Sequence, residues 1–160
     1  MTDRKTTKSL LQFLQSARAQ NRTLIFAGHS LAGALAPTLA LVFFNSNGGQ
    51  LNLKDWSAVY LYPTAGPTPG NADFGKFLSS VFPSVPSSGP AYRVWNQNVW
   101  NSIDVVPHAW NLAMLDQVAT LYPAPRRSDP TKEPEELSEA IDFAKSLSTE
   151  GGKTGAGPYV

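Results

Sequence analysis

With 160 residues the chain is long enough for one domain with a sizeable core. Its 13 basic residues nearly balance 12 acidic ones, which argues against a nucleic-acid-binding surface, and the lack of cysteine excludes disulfides, a thiol nucleophile and thiolate metal sites. No stretch approaches the roughly 20 apolar residues of a membrane span, and the first twenty residues lack the apolar run of an export signal, so the chain reads as soluble with its compartment open.

Residues 5–19 place Leu10, Leu11, Phe13, Leu14 and Ala17 at helical spacing, which predicts an amphipathic helix. The apolar, β-branched run Thr23–Ala27 then has the pattern of a buried parallel strand and stops at Gly28. From Leu31 to Phe44 the chain is apolar almost throughout and rich in Ala and Leu, the mark of a buried helix, in which Pro37 predicts a kink or an early first turn. Asn45–Gly49 ends that helix. Two further strands are expected at Ser57–Tyr62 and Ala91–Trp95, separated by a helix over Asn71–Phe82 and a Pro/Ser loop.

Helices follow at Trp110–Leu121 and Pro134–Ser148. The second has Leu137, Ala140, Ile141, Ala144 and Leu147 on one face, with Glu133, Glu135 and Glu136 where the helix dipole favours them. Strand–helix alternation implies an α/β fold: a short parallel sheet of about three strands flanked by helices. Residues 1–150 are read as a single domain and 151–160 as a flexible Gly-rich tail. In that tail Gly151-Gly152-Lys153-Thr154 is no phosphate loop, because Leu147 stands where the pattern needs glycine. The basic pairs near Arg4-Lys5 and Arg126-Arg127 are solvated surface, and no partner nucleic acid is implied.

Gly28-His29-Ser30-Leu31-Ala32-Gly33 lies between the apolar strand and the apolar helix, the context of a nucleophile elbow. A serine at such a turn sits in a sparsely populated backbone conformation with small neighbours where the chain doubles back, which Gly28 supplies. Ala32 replaces the common glycine with a tolerable methyl group, and Gly33 keeps the helix start small. The Leu31 amide would face a developing oxyanion at the helix N-terminus, while the second oxyanion donor has no sequence candidate. The competing reading is a plain strand-to-helix turn with a serine cap.

Three segments resemble the class 3, fungal-type lipase family. They are the elbow with Ala34-Leu35-Ala36, the Gly/Pro turn and helix start Gly66-Pro67-Thr68-Pro69-Gly70-Asn71-Ala72-Asp73-Phe74, and Asn101-Ser102-Ile103-Asp104-Val105-Val106-Pro107, and they run in the family's order over residues 24–110. The resemblance implies an α/β-hydrolase fold present in part, without the family's early strands or lid helix. It makes Ser30 the nucleophile, Leu31 N–H an oxyanion donor and Asp104 the acid. Asp104 follows the end of an expected strand, the edge where α/β sheets collect their sites, although an Asp in a loop is more commonly a turn former.

Serine acyl transfer also needs an imidazole base. His29 should point away from Ser30 into packing, and His108 belongs to the local Asp104 motif, whereas the family takes its base from a later loop. The implied activity is hydrolysis of acylglycerol or related lipid esters through an acyl-enzyme on Ser30, with no cofactor or metal. The alternative is a catalytically deficient lipase segment acting as a lipid-binding or interaction module, with interfacial lipid contact and self-association through exposed sheet edges. A Rossmann-like domain is disfavoured because no Gly-x-Gly-x-x-Gly follows the first strand. Trp56, Trp95, Trp100 and Trp110 are expected in the core.

Overall fold

The computed structural model describes residues 8–45, 48–85, 94–109, 111–121, 138–139, 141–143 and 145–146. The glycine-rich tail, Trp110 and both ends of the helix expected at 134–148 lie outside these residues; the described positions within that range are helical.

Helix α1, Leu10–Ala17, starts at Ser9, whose hydroxyl accepts the Gln12 amide while the Gln12 side chain accepts the Ser9 amide. This reciprocal pairing satisfies two donors that a helix start otherwise leaves open. The helix stops short of the expected residue 19 because β1 begins there and runs over Ala19–His29. β1 pairs in parallel with β2, Trp56–Thr64, and the pairing is regular only from Thr23 onward, after an irregularity between Ala19 and Thr23. The predicted strand was therefore the regularly paired part of a longer one. Helix α2, Leu31–Phe44, continues through Pro37, and α3 spans Ala72–Val81 behind the Asn71 cap.

Parallel register places Leu24 beside Val59 and Phe26 beside Leu61 on one face of the sheet. That face meets α2: Phe26 lies edge-on to Phe44 at 6.2 Å, and Phe44 edge-on to Phe82 at 6.1 Å. Leu14 of α1 and Ala40 of α2 join the same core, in which Leu61 is only 1% exposed. Leu115, Val118 and Ile141 form a second, smaller cluster, which ties the short helix α4, Leu112–Leu115, to the later helical residues. The Lys145–Asp116 ion pair at 2.5 Å adds to that junction.

Three expectations are corrected. Helix α2 is not buried all round: Gly33, Ala36, Pro37, Ala40, Leu41 and Phe44 are buried, whereas Leu31, Leu35 and Val42 stand 56–62% exposed. The second face of the sheet is likewise only partly covered. Trp95 stacks on Tyr60 at 5.0 Å and touches Tyr62, while Ile25 remains 47% exposed.

The third correction concerns the expected strand at 91–95. Residues 91–93 lie outside the described set, and Trp95 makes a single antiparallel bridge to Val85. The place beside β2 belongs instead to residues 96–99. Asn96 N–H donates to Leu61 O, Leu61 N–H donates to the Asn96 side-chain oxygen at 2.8 Å, and Val99 N–H donates to Pro63 O. A side-chain amide thus stands in for one rung of the ladder. Among the described residues the sheet has two named strands.

Replacing Leu61 by Ala removes a fully enclosed side chain and is expected to cost about 2–5 kcal/mol. Val42→Ser on the open face of α2 should change stability by about 0.5 kcal/mol or less. Urea denaturation of both variants checks the assignment, and a large loss for Val42→Ser would mean that this face is covered.

A strained elbow and its neighbouring loops

Between β1 and α2 the chain turns at one residue. Ser30 has φ 56° and ψ −126°, a region that a side chain with a Cβ rarely enters and that costs about 1–3 kcal/mol. Neighbouring atoms hold it there: its N–H donates to Thr64 O at 3.0 Å, and its carbonyl accepts Gly33 N–H at 2.7 Å. The turn is tight enough that a Cβ at Gly28 would lie 2.1 Å from Ala32 O, so the glycine is required, whereas Ala32 keeps its own methyl group.

One turn into α2, Gly33 meets Gly66. A Cβ on Gly33 would come within 2.8 Å of Gly66 Cα, and one on Gly66 within 2.7 Å of the Gly33 carbonyl carbon. The two backbones therefore touch directly. Leu31 is the first residue of α2, so its amide has no acceptor within the helix. Its side chain is 58% exposed.

The segment after β2 carries the second strained residue, Ala65, with φ 48°. Ala65 N–H donates to Val99 O, and the Asn98 amide grips Gly66 at both ends: Gly66 N–H donates to Asn98 Oδ1 at 3.1 Å and Asn98 Nδ2 donates to Gly66 O at 2.8 Å. Register sets His29 opposite Thr64, and Thr64 bridges Val99. The elbow, the Gly66 turn and the loop leading to Asp104 thus share the C-terminal edge of the sheet. Asn96 and Asn98 carry no motif visible in the sequence. The available signal was the Asn-x-Asn spacing after an expected strand, since Asn tolerates the positive φ of 64° found at Asn96.

Asp104 is half-buried in a compact turn. Its N–H donates to Asn101 O, and its side-chain Oδ1 accepts Val106 N–H at 3.0 Å. A single 3₁₀ turn, Val106–His108, follows. His108 is 2% exposed, and its Nδ1 lies 2.9 Å from the backbone carbonyl of Asp104, with the ring edge-on to Trp100 at 5.3 Å. Imidazole and aspartate thus meet through the main chain, and the carboxylate is engaged by an amide. His29, expected to pack, is exposed instead, because it belongs to the sheet face that the helices do not cover. Of the tryptophans, Trp56 is in the core, Trp95 covers part of the sheet and Trp100 is 39% exposed.

The fold is similar to that of the M37 lipase in its crystal structure, with a TM-score of 0.62 and 28% identity over 91% of this chain and 38% of that chain. Strand, strained serine turn and a helix packed on the sheet by one face, in that order beside a parallel partner strand, define the class: part of an α/β-hydrolase fold. Residues 2–114 match the lipase (class 3) family model, and the chain belongs to that family. The chain spans 38% of the solved lipase it matches, and no curated protein matches it.

Gly28→Ala should cost about 1–3 kcal/mol or more through the clash with Ala32 O, whereas Gly75→Ala in α3, where a Cβ meets nothing within 4 Å, should add about 0.5–1 kcal/mol. Thermal melts of the two variants should shift in opposite directions. The same measurement separates the histidines: His108→Ala should lose about 2 kcal/mol or more, and His29→Ala about 0.5 kcal/mol or less.

Proposed function

We propose that this chain is the nucleophile- and acid-bearing part of a serine carboxylic ester hydrolase acting on acylglycerol or related lipid esters. The observation that carries this reading is Ser30 at φ 56°, a strained non-glycine residue at the head of α2 in a chain of the class 3 lipase family. Strain at a strand-to-helix junction persists only where surrounding structure over-determines it, and it is concentrated at functional sites.

In the proposed reaction the Ser30 hydroxyl oxygen attacks the ester carbonyl carbon and its proton passes to a histidine base, which the family draws from a later loop and which neither His29 nor His108 is assigned to be. The carbonyl oxygen takes up negative charge facing the Leu31 amide, which the helix start leaves without an intrahelical partner. Collapse expels the alcohol, protonated by the same histidine, and water then releases the fatty acid from the acyl-serine. Asp104 orients the base. His108 is not assigned that role, since its ring is buried and bonded to the Asp104 main chain.

A second reading is favoured by a specific observation: Leu31, Leu35 and Val42 form an exposed apolar stripe on α2, and Ile25 is exposed on the sheet. A catalytically deficient lipase segment would use such surface for lipid contact or self-association. No helix among the described residues is long and apolar enough to cross a membrane.

Purified protein is expected to hydrolyse a short-chain p-nitrophenyl ester and to react with a fluorophosphonate probe at Ser30. Ser30→Ala should abolish labelling, and its loss of turnover should reach the order of 10⁴, as should that of Asp104→Asn, only where a histidine base serves Ser30. A folded sample that neither turns over nor labels would rule out the hydrolase reading. Flotation with phosphatidylcholine vesicles, or dimerisation seen by sedimentation, would then support the second.

A further inference from the structure

We propose that Asn98 is a positioning residue for the elbow, holding Ser30 in its strained conformation through Gly66; this rests on the reading of Ser30 as the nucleophile. The Asn98 side-chain amide pairs with both backbone groups of one residue, accepting from Gly66 N–H at 3.1 Å and donating to Gly66 O at 2.8 Å. Two such bonds fix both the position and the plane of that peptide segment. Gly66 in turn has no side chain between itself and Gly33, so its backbone bears directly on the first turn of α2. Interiors this close transmit displacement, because neither partner has a flexible side chain to absorb it.

The grip continues on either side of Gly66. Ala65 N–H donates to Val99 O, and Thr64 O accepts the Ser30 N–H. Thr64 Oγ1 donates to Gly28 O at 3.3 Å, on the other side of the serine. Residues 64–66 are therefore pressed between residues 28–33 and residues 98–99. Release of Asn98 frees the outer side of this stack and lets Ala65, itself strained at φ 48°, relax away from the elbow.

Asn96 provides the control. Its side chain also makes two bonds, accepting Leu61 N–H at 2.8 Å and donating to Pro83 O at 2.8 Å, but these tie the middle of β2 to the segment after α3 and leave the Gly66 turn untouched. Its φ of 64° makes glycine the replacement that deletes the amide without adding strain.

Amide hydrogen exchange followed by nuclear magnetic resonance reads the elbow directly, without requiring activity. Asn98→Ala should speed exchange of the Ser30 amide about tenfold while leaving Phe26 in mid-strand nearly unchanged, and Asn96→Gly should speed Leu61 and spare Ser30. Asn98→Asp, which keeps the acceptor for Gly66 N–H but turns a carboxylate oxygen toward Gly66 O in place of the donor, should also speed Ser30 exchange. It serves also where the alanine variant does not fold. The fluorophosphonate labelling rate should fall in the Asn98 variants and hold in Asn96→Gly. Unlabelled wild-type protein would refute the hydrolase reading while the exchange comparison still decides the role of Asn98. That role is overturned if Ser30 exchange stays at the wild-type rate in Asn98→Ala, or rises equally in both Asn variants.

Discussion

Two glycines, Gly33 on α2 and Gly66 after β2, meet backbone to backbone at a separation that no Cβ tolerates. Because they do, the N-terminal turn of α2 lies against the end of β2, and Thr64 O comes within hydrogen-bond reach of the Ser30 N–H. That bond and the Gly33–Ser30 bond are what oppose the strain at Ser30, a cost of about 1–3 kcal/mol that an isolated turn would shed by rotating to an ordinary conformation. The far end of α2 is secured separately, by Phe44 wedged between Phe26 and Phe82. A helix held at both ends on one face of a parallel pair of strands leaves the serine little freedom.

The elbow was legible in the sequence because its requirements are steric and local. Glycine at 28 and 33, between an apolar strand and an apolar helix, answers a collision that any larger residue would cause, and the family resemblance placed it in the right order with the Gly66 and Asp104 segments. Most element types were legible for a similar reason, since periodicity follows from the geometry of each element. The exception is the helix expected at Trp110–Leu121, which is instead the four-residue α4 followed by a 3₁₀ turn at Val118–Thr120. Burial was not legible. An apolar stripe records that a surface needs cover but not whether cover is present, so α2 read as buried all round when Leu31, Leu35 and Val42 are exposed. His29 failed the same way: its packing depended on a sheet face that the helices leave open.

What lies beside β2 at residues 96–99 was not legible, for a different physical reason. Pattern reading assumes that a strand's neighbour supplies backbone groups, whereas here the Asn96 side chain takes the Leu61 N–H and the Asn98 side chain takes both groups of Gly66. Hydrophobic periodicity carries no record of such substitution, because the residues responsible are polar and fall in what looks like a loop. Asn serves where few other residues would: its amide presents a donor and an acceptor in one plane, and its backbone accepts the positive φ seen at Asn96.

The bonds that define the elbow and the surfaces left open occupy different parts of the molecule. Residues 28–33, 64–66 and 98–99 are tied to one another by main-chain and asparagine bonds, and none of those ties runs through Ile25, Leu35 or Val42. Elbow geometry is thus set by these ties at the C-terminal edge of the sheet and not by the open surfaces. Leu31 is the exception, because its backbone opens α2 directly after Ser30 while its side chain begins the exposed apolar stripe. Any lipid or protein surface that covers the stripe therefore arrives beside Ser30. In the proposed reaction, covering that excludes water from around the Leu31 amide would strengthen its pull on developing negative charge.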